Sequence, residues 1–244
     1  MTVHTDRHGR VAVITLDRPE RRNALDAQTC ETLLHALLSA GSEGRGVGAI
    51  VLAGAGANFC AGADVSAVPS DRFLVALGGV LDALVSVPVP VIAAVEGVAL
   101  GAGLQLAVAC DLRVATPDSR FGVPAAKLGL VMDHASVQRV ALLAGHGPAR
   151  AMLLAAEEVT GAEALRLGLA QRAGGVADAV AWAGQIAALA PLTVAAHKLA
   201  LNRLERPLSD PDVAEARRRA WASADLAEGV AAFAERRPPR FEGR

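Results

Sequence analysis

The sequence has almost no excess of charge of either sign and very little cysteine. Its 244 residues carry 24 lysines and arginines against 25 aspartates and glutamates, a formal net charge of −1. A chain this balanced has no general electrostatic field that would hold nucleic acid or an anionic membrane. Its three cysteines, Cys30, Cys60 and Cys110, lie far apart without a CxxC or Cys/His spacing. This pattern disfavours a structural zinc site or another metal centre and predicts reduced thiols in a cytosolic compartment.

An apolar run long enough to cross a bilayer is also missing. Residues 73–95 are interrupted by Asp82, Pro88 and Pro90, and residues 97–110 are too few for a membrane span. The short apolar run near the N-terminus has charges on both sides, so it predicts neither a signal peptide nor a transit peptide. With 52% hydrophobic residues, the chain has enough apolar surface for a large core. We therefore expect a soluble, cytoplasmic protein.

Short β-branched runs alternate with amphipathic segments in the first half of the chain. Buried strands are predicted at residues 11–17, 49–54, 89–97 and 111–116, and amphipathic helices at 25–40 and 71–87. Such alternation is typical of an α/β core whose sheet is covered by helices. From residue 134 onward nearly every segment has helical periodicity, with Glu157 and Glu158 expected at a solvated helix end. We assign residues 1–190 to the α/β core and residues 191–244 to a C-terminal helical module with a basic tail.

Two glycine clusters follow predicted strands. They are AGAGANFCAGAD at 53–64 and GVALGAG at 97–103, and the second leads into a helix. The first lacks the Lys-Ser/Thr of a phosphate loop and does not fit GxGxxG, which disfavours a nucleotide site. Two interpretations remain open from the residues alone. The glycines let two backbones pack closely, or the two strand ends direct backbone N–H groups at one substrate oxygen, as an oxyanion hole does.

Four motifs and the tail together resemble a known family. The motifs are DRPERRNAL (17–25), NFCAGAD (58–64), AAVEGVALGAGLQLAVACDLRVAT (93–116) and FGVPAAKLGL (121–130), and the tail contains RPPRF. The chain is similar in these segments to the enoyl-CoA hydratase/isomerase family, the crotonase superfamily, and especially to its actinobacterial paralogues. The resemblance implies an α/β fold with a crotonase-like ββα spiral core and a C-terminal helical trimerisation module. It also implies a homotrimer or hexamer that binds an acyl-CoA or enoyl-CoA thioester and needs no cofactor apart from the coenzyme A of that ligand.

The resemblance also implies where the thioester lies. The backbone N–H groups of Ala63 and Ala102 match the two donors of the family's oxyanion hole. Ala102 stands where glycine is usual, so its N–H serves this role only if the backbone there has a negative φ. The further positions that match coenzyme A or substrate contacts are Arg22, Asn23, Ala24, Leu25, Ala61, Gly62, Asp64, Val65, Gly101, Gly103, Pro124, Leu128 and His134.

The catalytic positions depart from the family's hydratases. The two glutamates of those enzymes match Gln105 and Ala125 here. An amide does not accept a proton at neutral pH and a methyl group does neither acid nor base chemistry. Loss of a general acid or base costs about 10²-fold to 10⁴-fold each, so efficient hydration is not expected.

Asp133 is the one nearby acid in the sequence, and some family members use an aspartate at the matching position as base or nucleophile. It also precedes a predicted helix and is well placed as its N-cap. Three functions in fatty-acid metabolism follow. The protein is a non-catalytic acyl-CoA carrier that delivers its ligand to a protein partner, an isomerase or other enolate-forming enzyme using Asp133, or a weak hydratase whose water is held by Gln105.

Overall fold

The computed structural model describes residues 2–42, 46–64, 70–204, 218 and 221–240. The strands within these residues are β1 (Val3–His8), β2 (Val11–Leu16), β3 (Ala49–Gly54), β4 (Val91–Val95), β5 (Val98–Leu100), β6 (Leu112–Ala115), β7 (Arg120–Gly122), β8 (Glu158–Thr160) and β9 (Arg172–Ala173). The helices are α1 (Ala27–Gly41), α2 (Asp71–Ser86), α3 (Ala102–Ala109), α4 (His134–Ala144), α5 (His146–Leu154), α6 (Gly161–Leu167), α7 (Val176–Ala187), α8 (Pro191–Leu204) and α9 (Ala224–Glu235). Two 3₁₀ turns lie at Pro19–Arg21 and Pro124–Lys127.

Two sheets form the core. The larger has the order β1-β2-β3-β4-β6-β9, antiparallel between β1 and β2 and parallel beyond them. The smaller has the order β5-β7-β8. All five residues of β4 and the first five of β3 are buried, as expected for parallel strands covered on both faces. Helices α1, α2 and α3 contribute to the core on one face of the larger sheet, and α7 packs on the other.

The chain alternates between the sheets and then forms a helix, which confirms the predicted ββα spiral. β4 joins the larger sheet, β5 joins the smaller one, and α3 follows; β6 and β7 repeat the same distribution. Isolated parallel bridges between Cys60 and Ala99 and between Leu25 and Ala63 extend this pattern to the earlier turns. The four predicted strands are confirmed as β2, β3, β4 and β6; β3 has the predicted bounds, and the other three are shorter by one or two residues at an end.

Glu157 is exposed just beyond the end of α5, as expected, but the prediction of a helix end was wrong for Glu158. Glu158 begins β8, which pairs antiparallel with β7, and its carboxylate forms an ion pair with Arg120 at 2.6 Å. The β-branched Val159 and Thr160 complete this strand. β8 is therefore the edge strand on one side of the smaller sheet. The periodicity of the sequence did not distinguish this short strand from the helices on either side of it.

Helices α8 and α9 pack against the core. Lys198 in α8 is buried, and its Nζ donates to the carbonyls of Leu84 and Val89 and to the carboxylate of Asp111, at 3.0, 3.1 and 2.7 Å. α9 lies so close to the turn after the second 3₁₀ segment that a Cβ built on Gly229 would lie 2.4 Å from the Leu128 carbonyl oxygen. Both described helices of the predicted C-terminal module thus contact core residues.

No single helix within the described residues has the length and apolar content of a bilayer span. Helices α7 and α8 reach that threshold only when joined, and their axes differ by 111° at the break between them.

Candidate functional site

Two loops from different strand ends meet beside helix α3. The loop after β3 is held to the segment before α1 by the Leu25 N–H, which donates to Gly62 O at 2.8 Å, and by the Asp64 N–H, which donates to Leu25 O at 2.7 Å. This parallel bridge uses the groups on either side of Ala63. The Ala63 N–H therefore points away from Leu25.

The glycines of the two clusters allow these loops to approach closely. A Cβ on Gly103 would lie 2.2 Å from the Cys60 carbonyl oxygen, and one on Gly62 would lie 2.8 Å from the Leu100 carbonyl oxygen. Gly101 differs because its added Cβ would meet no heavy atom within 4 Å. Its backbone, with φ of 53° and ψ of −117°, is what requires glycine there. The close-packing interpretation is therefore confirmed for Gly62 and Gly103, but it does not explain the glycine at position 101.

Ala102 begins α3 and keeps the backbone geometry that its N–H needs. It is absent from the described non-glycine residues with positive φ, so the condition attached to this position is met. As the first helical residue, Ala102 has an N–H without an intrahelical acceptor, at the end of the helix whose dipole favours negative charge. The position of a Cβ on Gly62 lies 3.5 Å from Ala102 N, which shows how near the two loops come.

Cys60 supports the first of these loops from inside the protein. Its Sγ accepts a hydrogen bond from the Gly62 N–H at 3.4 Å. Burial raises the pKa of the Cys60 thiol to about 12, and burial likewise raises the pKa of Cys30 and Cys110 to about 12. All three are free, buried thiols. They are therefore protonated at neutral pH and serve as packing groups and weak hydrogen-bond partners, not as nucleophiles.

Gln105 is the one polar side chain of α3, and it contacts Asp133. Its Nε2 donates to Asp133 Oδ2 at 2.5 Å and lies 3.3 Å from Ser136 Oγ. Gln105 keeps only 7% of its surface exposed. The structure thus brings together two of the sequence-predicted residues, Gln105 and Asp133, which are separated in the chain by β6, β7 and the second 3₁₀ turn.

Asp133 is also the N-cap of α4. Its Oδ1 accepts from the Ser136 N–H at 2.9 Å and its Oδ2 accepts from Ser136 Oγ at 2.6 Å. The predicted capping role is present, and with the Gln105 contact the carboxylate accepts three protein hydrogen bonds. Ser136 was not predicted as a site residue. The signal for it was an N-cap aspartate followed three residues later by a side chain that can donate back.

Ala125 lies in the 3₁₀ turn Pro124–Lys127 and is half-buried. Its carbonyl accepts from the N–H groups of Leu128 and Leu130 at 3.0 and 2.9 Å, which folds the turn back on itself. Its methyl group brings no acid or base to the site. His134 is half-buried as the first residue of α4, next to Asp133.

Arg18 organises the predicted ligand-binding segments, and sequence reasoning missed it. Its Nη1 donates to Ala24 O at 2.7 Å, and its guanidinium pairs with Asp26 at 3.0 Å and with Asp64 at 3.2 Å. Two residues predicted to contact the ligand, Ala24 and Asp64, are therefore held by this arginine. Its signal was its place near the start of the DRPERRNAL motif, four residues before Arg22, which was predicted to contact the ligand.

Asn23 has an internal role that the prediction did not include. It is buried with φ of 57°, and its Nδ2 donates to the carbonyls of Ala55 and Asn58 at 3.0 and 2.6 Å. Its Oδ1 accepts from the Arg18 N–H at 2.9 Å. The side chain is thus fully used in shaping the loop. Arg22 next to it is exposed, and its carbonyl accepts from the Ala61 N–H at 2.9 Å.

Val65, also predicted to contact the substrate, lies outside the described residues. Within the described residues, no three histidine, cysteine, aspartate or glutamate side chains are grouped in a way that could hold a metal ion.

Comparison with known proteins gives consistent matches along the chain. A model of the enoyl-CoA hydratase/isomerase family matches residues 6–244. The chain is 47% identical over 243 residues to a protein of Mycobacterium leprae named probable enoyl-CoA hydratase echA6, with 96% of each chain covered. It is 32% identical over 252 residues to the short-chain-enoyl-CoA hydratase of Clostridium acetobutylicum, with 98% of this chain and 95% of the relative covered.

Solved structures agree with these matches. A methylmalonyl-CoA decarboxylase in complex with 2-nitronate-propionyl-CoA superposes with a TM-score of 0.91 at 25% identity, covering 100% of this chain and 99% of the other. An enoyl-CoA hydratase from Mycobacterium avium subsp. paratuberculosis K-10 superposes with a TM-score of 0.86 at 26% identity, covering 99% of each chain.

Proposed function

The chain belongs to the enoyl-CoA hydratase/isomerase family, and on that premise we propose that it binds acyl-CoA or enoyl-CoA thioesters of fatty-acid metabolism. The expected similarity to actinobacterial members is borne out by the mycobacterial relatives. In this proposal the thioester oxygen lies between the backbone N–H groups of Ala63 and Ala102. Both N–H donors must be held in position before the thioester binds, because they then stabilise its oxygen without any rearrangement of the backbone.

One observation carries the proposal: two backbone N–H groups on converging loops have no role in the surrounding ladders. The bridge to Leu25 directs the Ala63 N–H away from its neighbour strand, and Ala102 is the first residue of α3. Glycine packing at Gly62 and Gly103 brings the two segments into contact. Arg18, through Ala24 and Asp64, fixes the segment that we propose lies along the coenzyme A.

The same residues argue against efficient hydration. Water addition to an enoyl thioester needs a base for the water and an acid for the α-carbon. Gln105 supplies neither, and Ala125 has only a methyl group. We therefore propose binding with little or no hydratase turnover, in which the protein carries the acyl-CoA and presents it to a protein partner.

A second function, isomerisation or another enolate-forming step, is favoured by one contact. Asp133 contacts Gln105, which lies on α3, the helix that begins with Ala102. The Asp133 carboxylate therefore lies beside α3. Its three hydrogen bonds argue against free proton transfer, because a base must present a lone pair to the substrate. A carboxylate has about four lone-pair directions, so one remains.

Two assays on one purified sample test these functions. Calorimetry measures the affinity of short-chain and long-chain acyl-CoAs, and absorbance follows hydration of crotonyl-CoA and of a longer 2-enoyl-CoA. Tight binding without hydration supports the carrier function. Hydration at ordinary enzymatic rates would show that another acid replaces the missing glutamates, and absence of binding to every thioester would overturn the proposal.

We also propose that the protein assembles as a homotrimer or hexamer through its C-terminal helices. Helix α8 carries Leu192, Leu199 and Leu201 on exposed positions, with Leu192 86% exposed. Exposed leucines at this density favour an interface with another copy. Light scattering after size-exclusion chromatography measures the mass directly. A monomer at micromolar concentration would contradict the assembly but not the thioester site.

A further inference from the structure

The outer edge of β1 carries backbone groups that no strand uses. Among the described residues, β1 lies at the end of the larger sheet and pairs only with β2, in antiparallel register. The Asp17 N–H donates to Thr2 O at 2.9 Å, and every second residue of an antiparallel pair bonds across in the same way. The even-numbered residues of β1 therefore bond to β2. The odd-numbered residues direct their N–H and C=O groups away from the sheet: Val3, Thr5 and Arg7.

A groove of about 690 Å³ follows this free edge. One wall is formed by residues 3–7 of β1, and the opposite wall is one face of α1. The residues of that face recur at helical spacing: Thr32, His35, Ala36, Ser39 and Ala40. Residues 3 to 7 of a strand span about 14 Å. An extended segment of a few residues laid in this groove would continue the sheet by pairing with the free edge.

The alternation of side chains along β1 separates the charges of the groove. Val3 belongs to the same core cluster as the buried residues of α1, so the odd-numbered side chains of β1 lie on the face of the sheet that carries α1. Arg7 is then the charged side chain on this face. Its Nε donates to Gly9 O at 2.9 Å, and among the described residues its guanidinium pairs with no carboxylate. Asp6, the acidic residue that lines the groove, points to the other face.

These charges favour one kind of occupant over a second copy of this chain. A second β1 paired antiparallel with the first would turn its own Val3, Thr5 and Arg7 toward α1. It would thereby bring a second guanidinium into a groove whose α1 side has no carboxylate. A strand with an acidic side chain on that face would instead meet Arg7, and small apolar side chains beside it would contact Ala36 and Ala40.

We propose that the groove between β1 and α1 binds an extended, acidic segment of a partner protein, which adds antiparallel to β1 as a seventh strand of the larger sheet. The inference rests on the proposed carrier function for the purpose of this contact, because it gives the protein partner its binding surface. The groove shares no residue with the proposed thioester site. Partner binding and thioester binding are therefore separate measurements.

The test uses a blocked, fluorescently labelled peptide of sequence TVTETVT, in which the valines and the central glutamate share one face. Anisotropy should show saturable binding, and replacing the glutamate with glutamine should weaken it by about threefold, the effect of one partly exposed ion pair. In the Arg7→Gln variant the two peptides should bind equally. No saturable binding by the unmodified protein would overturn the inference. If the peptide binds but no acyl-CoA does in calorimetry, the surface stands and the carrier function fails.

Methylation of the peptide backbone tests strand addition on the unmodified protein. In an antiparallel pair the residues that bond to Val3, Thr5 and Arg7 have their side chains on the same face as these residues. N-methyl groups on the valines and the glutamate should therefore abolish binding, whereas N-methyl groups on the second, third and fourth threonines should leave it within about twofold. Equal binding of both methylated peptides would show that the peptide is not held by its backbone.

Two substitutions at Thr5 locate the contact on the free edge. Thr5→Pro deletes an N–H that points away from β2, and proline is tolerated on edge strands in that orientation, so the fold should be kept while peptide binding falls by about tenfold or more. Thr5→Val is the matched control, because it keeps the N–H and should bind as the unmodified protein does. Equal peptide binding in both variants would place the peptide elsewhere. A smaller mass of Thr5→Pro in light scattering would show that a second copy covers this edge and would overturn the inference.

Discussion

The side chains of Gln105 and Asp133 meet at 2.5 Å, and the same Asp133 carboxylate caps helix α4. The two residues are 28 positions apart, on helices that otherwise belong to separate turns of the spiral. The hydrogen bond fixes the orientation of the Gln105 amide and occupies part of the hydrogen-bonding capacity of the Asp133 carboxylate. Both consequences favour ligand binding over proton transfer.

Asp133→Asn separates the structural role of this residue from a catalytic one. Asparagine is nearly as good an N-cap as aspartate, so we expect the free energy of unfolding to change by less than about 1 kcal/mol. Asp133→Ala loses the cap and leaves Gln105 without its acceptor, at a cost of about 1–3 kcal/mol. Urea unfolding of the three proteins measures both values. Any isomerase turnover should be lost in both variants, whereas retained turnover in Asp133→Asn would exclude Asp133 as the base.

Gln105→Glu is expected to destabilise the protein at neutral pH. It places a second carboxylate against Asp133, and like charges this close disfavour ionisation of both. We predict a loss of more than about 1 kcal/mol at pH 7. The double variant Q105E/D133N should recover most of it, because asparagine can donate to the new carboxylate. If the single variant were as stable as the original protein, the contact between the two side chains would be in error.

The double variant also tests the weak-hydratase function. It restores one of the two carboxylates that the family's hydratases use, so hydration of crotonyl-CoA should rise above the background of the unmodified protein. Ala125 remains without an acid, which limits the gain. No increase in this variant would contradict the weak-hydratase function.

Gly103→Ala tests the close packing of the two loops. Its Cβ would lie 2.2 Å from the Cys60 carbonyl oxygen, and a backbone atom in a buried core cannot withdraw easily. We expect a loss of about 2 kcal/mol or more in the free energy of unfolding. Gly78→Ala in α2 is the matched control, since its Cβ would meet no heavy atom within 4 Å. That change should stabilise the protein by about 0.5–1 kcal/mol, and equal effects of the two would contradict the packing.

The tail gives a pH dependence with a definite sign. Hydrogen bonds from Arg237 lower the pKa of Glu228 to about 2, and the two side chains are 2.6 Å apart. A carboxyl group whose folded pKa is lowered stabilises the folded state above its ordinary pKa, and that contribution is lost as the pH falls toward the folded value. The attachment of the tail to α9 should therefore weaken between about pH 4.5 and pH 2. Glu228→Gln should lack this step in an acid titration followed by limited proteolysis; a step of the same size would assign it to another group.

The sequence predicted the parts of the fold that depend on local pattern. The runs that form β3 and β4 are apolar throughout because both faces of the sheet are covered, and those that form β2 and β6 each carry a single polar residue, Thr15 and Arg113. Such runs are visible without any tertiary information. β8 was missed because it has only three residues and gains its stability from pairing with β7. Residue propensities alone cannot predict a strand that forms mainly because a partner strand is available to pair with it.

The site was predictable only as separate residues. Ala63 and Ala102 follow from motif positions, and Asp133 as a cap follows from its place before a helix. The contact between Gln105 and Asp133 depends on how α3 and α4 pack, and no spacing in the sequence encodes it. Arg18 was overlooked for a similar reason, since its partners Asp26 and Asp64 come together only when the loops fold.

Replacing Ala102 with proline tests the central claim most directly. Proline is tolerated at the first position of a helix and has no N–H, so the variant deletes one proposed donor and leaves α3 able to form. Ala224→Pro makes the same change at the first position of α9 and serves as the control. If the thioester oxygen is bound by the Ala102 N–H, Ala102→Pro should weaken acyl-CoA binding by about tenfold or more while Ala224→Pro leaves it unchanged. Equal acyl-CoA affinity in both variants, with both folded, would contradict the backbone oxyanion hole.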